Sequence, residues 1–176
     1  MNTDYLHSKW TKMKISSIVE NEKQVRIGVT LKTTCIKDID DFKTEKGLFN
    51  GRSDFLLSAI RYYYCSIMKT ADLCLDKQKN NLSSNQKMKQ LKNAISKEID
   101  SHLQLYNTIF DGGEKLQISI HVSEFIDDCL NDIEILSGKK TSEVIQAAIA
   151  SYRIELIEEL HLRDEFIKSI NELCDD

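Results

Sequence analysis

The chain has 176 residues, 41% of them hydrophobic, with a formal net charge of -4 and a pI near 5.6. That is enough apolar material for one compact domain or two small ones, and the acidic balance excludes a protein that coats nucleic acid by bulk charge. No run reaches the roughly 18 uncharged apolar residues that cross a bilayer, and residues 1–10 hold no apolar signal-peptide run, so a cytoplasmic location without membrane contact is expected.

In chain order, residues 1–22 form a first region, in which Tyr5, Leu6, Met13, Ile15 and Ile18 predict a helix over 3–19. Residues 23–69 form a second. Val25, Ile27, Val29 and Leu31 alternate with Arg26, Gly28 and Thr30, the period of a strand with one covered face. The period then lengthens. Cys35, Ile39 and Phe42 predict a short helix, with Gly47 where a helix C-terminus favours glycine. Ser53 offers an N-cap hydroxyl followed by Asp54, suited to the positive end of a helix dipole. Phe55, Leu56, Ala59, Ile60 and Tyr63 then make the apolar stripe of a second helix, with Tyr63 expected in the core and Tyr62 and Tyr64 partly exposed.

Residues 70–113 are expected as a helical linker. Its first part, 70–85, is polar. Lys77, Lys79, Lys87, Lys89, Lys92 and Lys97, with no acid among them, predict a solvated helix face or a flexible stretch, with accessory phosphate binding or contact with the acidic C-terminal helix as the sharper alternatives. Met88, Leu91, Ile95, Ile99, Leu103 and Tyr106 predict a helix over 87–110. Asp111-Gly112-Gly113 predicts a turn; lacking a following Lys-Ser or Lys-Thr, it is not a phosphate loop.

The last region, 114–176, repeats the second. Residues 25–47 align with 116–138 at an offset of 91, and 53–67 with 142–156 at an offset of 89. Identities are Ile27/Ile118, Asp41/Asp132, Gly47/Gly138, Ser53/Ser142, Ala59/Ala148, Ile60/Ile149 and Tyr63/Tyr152. Leu116, Ile118, Ile120 and Val122 alternate with Gln117, Ser119 and His121. Ile126, Leu130 and Ile133 match the short helix, and Gly138 its end. Ser142, Glu143 and the stripe Val144, Ile145, Ala148, Ile149, Tyr152 match the second helix. A C-terminal extension is acidic, with eight acids in residues 155–176 against Arg163 and Lys168.

One strand and two short helices cannot satisfy the strand's hydrogen bonds or bury both helical stripes. Each copy needs a partner, and the other copy is the nearest one. The expected fold class is therefore mainly α with a two-stranded antiparallel β-ribbon made from both copies over a helical core.

The segments "RSDFLLSAIRYYY" and "TSEVIQAAIASYR" resemble the second-helix opening of the ribbon-helix-helix repressors of bacteria, archaea and viruses: a serine, an acid, two apolar residues, then Ala-Ile. The resemblance covers 25–68 and 116–157, and its tandem form is similar to single-chain regulators of archaeal viruses. It implies two tandem ribbon-helix-helix units forming an intramolecular pseudodimer, a transcriptional regulator acting as a repressor on double-stranded DNA in the host cytoplasm. It also implies that the ribbon enters the major groove and that Arg26, Gly28, Thr30, Gln117, Ser119 and His121 read bases. Arg26 suits guanine and Gln117 adenine, while Thr30, Ser119 and His121 donate or accept. Gly28 has no side chain, which leaves an empty position and predicts more discrimination from the second strand. Phosphates would be held at the start of the second helix, by Arg52, Ser53 and Asp54 and by Lys139, Lys140, Ser142 and Glu143. Self-association on DNA is a further interaction of this kind.

No nucleophile and base are paired by spacing, so no enzyme activity is expected. Cys35, Cys65, Cys74, Cys129 and Cys174 have no Cys-x-x-Cys spacing, and His7, His102, His121 and His161 are scattered; neither a metal nor a cofactor is expected. The alternative function is a protein-interaction module, an antitoxin-like or partition-like adaptor using the helices outside the repeats.

Overall fold

A computed structural model of the chain describes residues 23–44, 48–76 and 83–174. The helix expected over 3–19, Gly47, Lys77 and Lys79 lie outside them. The described chain is mainly helical with one two-stranded antiparallel sheet. Its elements are β1 (Gln24–Lys32), α1 (Thr33–Thr44), α2 (Arg52–Asp76), α3 (Ser84–Ile109), β2 (Lys115–Ser123), α4 (Glu124–Ser137) and α5 (Thr141–Cys174). The offset of 91 carries β1 onto β2 residue for residue, and the offset of 89 carries the start of α2 onto the start of α5.

The strands pair antiparallel from Gln24↔Ser123 to Lys32↔Lys115. The covered face holds Val25, Ile27, Val29 and Leu31 opposite Val122, Ile120, Ile118 and Leu116. Burial grows toward the end of each strand: Val29, Leu31, Ile120 and Val122 are buried, while Val25, Ile27 and Ile118 are half-buried. Leu116 departs from its expected burial and is 49% exposed, although Leu31 opposite it is fully buried. The chain leaves both strands in the same way: the Thr33 N–H donates to the Glu114 carbonyl at 2.9 Å, and the Glu124 N–H to the Lys23 carbonyl at 3.0 Å. These two bonds are related by the same offset of 91, so both ends of the ribbon are closed alike.

Behind the ribbon, α2 and α5 pack on each other, and α3 lies against α2, α4 and α5. The core joins both copies. Phe55, Leu56, Ile60 and Tyr63 of α2 share it with Val144, Ile145, Ala148 and Ile149 of α5. Each large apolar side chain buried this way contributes about 1.5–3 kcal/mol. Tyr64, expected partly exposed, is fully buried, because α3 covers a side of α2 that would otherwise face water. The segment from Thr70 to Asp76, expected as the start of the linker, continues α2.

The helix α3 presents Leu91, Ile95, Ile99 and Tyr106 to that core. It begins at Ser84, three residues before the expected start, because Ser83 and Gln86 form a capping box: the Gln86 N–H donates to Ser83 Oγ, and the Ser83 N–H to Gln86 Oε1 at 3.0 Å. Its lysines Lys89, Lys92 and Lys97 are exposed. Gly138 ends α4 at φ 72°, the left-handed conformation expected of a C-terminal glycine. No described helix is long and apolar enough to cross a membrane.

Candidate functional site

The face of the ribbon turned from the helices carries every second residue of each strand. Arg26↔His121, Gly28↔Ser119 and Thr30↔Gln117 lie opposite one another, framed by Gln24↔Ser123 and Lys32↔Lys115. Arg26, Gly28, Gln117, Ser119 and His121 are exposed, and Thr30 is half-buried. All six residues expected to read bases therefore share one face. The N–H groups of Thr30 and Lys32 donate away from β2, to Ser142 Oγ at 3.4 Å and to the Tyr106 hydroxyl at 3.1 Å. Residues of this parity thus form the non-hydrogen-bonded pairs of the ladder, whose Cα atoms approach to about 4.5 Å.

Close spacing lets side chains meet across the strands. Arg26 Nη2 donates to Ser119 Oγ at 3.0 Å, along a diagonal of the ladder. Gln117 leans the other way, and a Cβ placed on Gly28 would stand 3.0 Å from its Nε2. Gly28 is therefore not the empty position expected of it; the Gln117 carboxamide occupies the space. Guanidinium donors, a carboxamide, two hydroxyls and an imidazole lie together, a set that can both donate and accept on base edges.

One copy is clamped to the other beside this face. Besides the bond to Ser142, the Thr30 carbonyl accepts from Gln146 Nε2 at 2.7 Å. Thus α5 of the second copy covers the outer edge of β1, which would otherwise leave its polar groups unmet. At the related place of α2 stands Leu57, which has no amide to donate.

The expected phosphate-binding residues fare differently. The Phe55 N–H donates to the Gly51 carbonyl at 3.2 Å and the Val144 N–H to the Lys140 carbonyl at 3.0 Å, so Gly51 and Lys140 precede the helices. Ser53 and Ser142 lie inside the first turn and are not N-caps. The capping is done by the acids: Asp54 Oδ2 accepts from the Asn50 N–H at 3.1 Å, and Glu143 Oε2 from the Lys140 N–H at 2.9 Å. At α5 the Glu134 carboxylate also takes the Thr141 N–H and, at 2.7 Å, the Thr141 hydroxyl.

The cations nearby are engaged as well. Arg52 makes a bidentate pair with Asp40 at 2.7 and 2.6 Å, the bond that most raises its pKa, and Lys139 pairs with Asp100 of α3. Of the expected basic residues Arg52 and Lys140 are exposed and Lys139 is half-buried. Both helix starts therefore carry carboxylates where a phosphate was expected.

The lysine pair Lys32 and Lys115 was missed, although continuing the polar alternation by one step on each strand reaches both. Comparison with protein-family models, with curated proteins and with solved structures finds no match to this chain.

Proposed function

We propose that the chain is a sequence-specific double-stranded-DNA-binding regulator, a repressor, whose two copies form an intramolecular ribbon-helix-helix pseudodimer. One observation carries this reading: strands from two related copies pair in a single register, and their polar side chains lie together on an uncovered face. A two-stranded ribbon leaves its open face without structural purpose unless something binds it. Its nine-residue strands match what the major groove admits, and Arg26, Gln117, Ser119, Thr30 and His121 have the chemistry of base readers.

Because matched positions of the two copies carry different residues, Arg26 against Gln117, Gly28 against Ser119 and Thr30 against His121, the preferred site is asymmetric rather than palindromic. Repression follows from occupying a promoter. Selection of bound sequences from random duplex DNA tests the reading. It predicts enrichment of one asymmetric site, bound at about 10⁻⁸ to 10⁻¹¹ M with a steep salt dependence. Absence of any enriched sequence would overturn it.

A further inference from the structure

Lys32 and Lys115 end the ribbon directly opposite each other, in a non-hydrogen-bonded pair. Like charges at such a position oppose folding by a small amount. Neither side chain has a carboxylate partner among the described residues. Both line one pocket of about 270 Å³ with Leu103, Tyr106, Asn107, Glu143 and Gln146. Lys32 Nζ stands 6.0 Å from the centre of the Tyr106 ring. Glu143 is the one acid of this lining, against the two lysines, so the lining carries a net positive charge.

The opposite end is different in kind. There Gln24 faces Ser123, and the nearby Lys23 stands 3.7 Å from Glu124. The outermost strand pair is thus doubly positive at one end, with Glu114 next to it, and uncharged at the other, although the backbone at the two ends is closed by equivalent bonds.

We infer that Lys32 and Lys115 form a phosphate site at one end of the ribbon, which engages the backbone of duplex DNA and fixes the direction in which the chain lies on its site. This inference rests on the DNA-binding reading. The two helix starts already hold carboxylates, and Arg52 and Lys139 are paired, whereas Lys32 and Lys115 have no carboxylate partner among the described residues and adjoin the polar face. Phosphate contacts orient a protein without reading sequence, which makes a one-sided pair an orienting device.

The test uses the full chain and its selected duplex, comparing wild type with Lys32→Gln/Lys115→Gln and, separately, Lys32→Ala/Lys115→Ala. Affinity is measured across salt concentrations, and phosphate ethylation interference maps both strands. Loss of two phosphate contacts lowers the slope of log K against log salt by about 1.8 and weakens binding about tenfold or more at low salt. Interference should vanish at one end of the site and persist at the other, with base preference unchanged. The thermal midpoint should hold or rise, since a repulsion is removed. Inorganic phosphate titrated against wild type separates the sources: weak or no binding is expected, whereas saturation at low concentration with an unchanged DNA slope would assign the pocket to a small phosphorylated molecule and overturn the inference. If wild type binds DNA and the variants keep its slope and both ends of its interference pattern, the inference fails alone. If wild type binds no DNA, the parent reading fails.

Discussion

Gln117 and Gly28 share one space on the outer face of the ribbon: a Cβ on Gly28 would come within 3.0 Å of Gln117 Nε2. Glycine at this central position lets the carboxamide lie across the ladder over it. Replacing it by alanine displaces the far end of a flexible side chain, so Gly28→Ala should change stability by less than about 1 kcal/mol, helped by the restricted unfolded chain. Base preference should change at the position Gln117 reads, by about 1 kcal/mol or more. Thermal melting with competition binding on base-substituted sites checks both; a variant with native preference would detach Gly28 from recognition.

The bonds from Thr30 to Ser142 and Gln146 tie the first strand to the second copy. Gln146→Leu gives this helix the residue that its counterpart already has in Leu57. The Thr30 carbonyl then loses its donor, and stability should fall by about 1 kcal/mol in urea titration. A neutral outcome would mean that water satisfies the carbonyl equally well.

Two arginine–aspartate pairs look alike and should not behave alike. Arg52 and Asp40 are 48% and 38% exposed, so solvent screens them, and Arg52→Ala should cost no more than about 0.5 kcal/mol. Arg153 and Asp38 are 24% and 23% exposed, with bonds of 2.8 and 3.0 Å, and the guanidinium stands 5.9 Å from the Phe110 ring centre. Arg153→Ala should cost about 2 kcal/mol. Chemical denaturation of both variants ranks the pairs, and a larger loss at Arg52 would contradict the burial argument.

Alkali should destabilise the fold. Burial pushes the Cys35 thiol from its ordinary 9.0 up to about 12, and burial also raises the Tyr63 and Tyr106 phenols above 10.0. These groups hold their protons more tightly folded than unfolded. Their contribution is complete below the unfolded pKa and is lost as pH rises from about 9, for Cys35 up to about 12. Cys35→Ala should remove about 1.4 kcal/mol of the stability loss between about pH 8 and about pH 10. Equal losses in wild type and variant, followed by denaturant melts, would contradict the assignment.

The ribbon was legible because alternation is local: Val25 to Leu31 and Leu116 to Val122 declare their faces without knowledge of any partner. The register was not legible: the offset of 91 relates the strands, but only their pairing sets Gly28 opposite its counterpart Ser119. Helix starts were less legible. Ser53 and Ser142 have the side chain of an N-cap, but Asp54 and Glu143 cap the helices from inside, and Gly51 and Lys140 take the first position. The pairs Arg52–Asp40 and Lys139–Asp100 depend on how loops and helices dock, which periodicity does not encode. The same holds for Gln117 over Gly28, which needs the register before the diagonal can be seen.

The most direct measurement of the central claim is DNA affinity after removing the two long readers together. Wild type and Arg26→Ala/Gln117→Ala are titrated against the selected duplex and against an unrelated duplex, with thermal melting as the control for folding. The account predicts an unchanged fold and a loss of about 2–6 kcal/mol of discrimination, leaving salt-sensitive nonspecific binding. A folded double variant that distinguishes the two duplexes as well as wild type would contradict it.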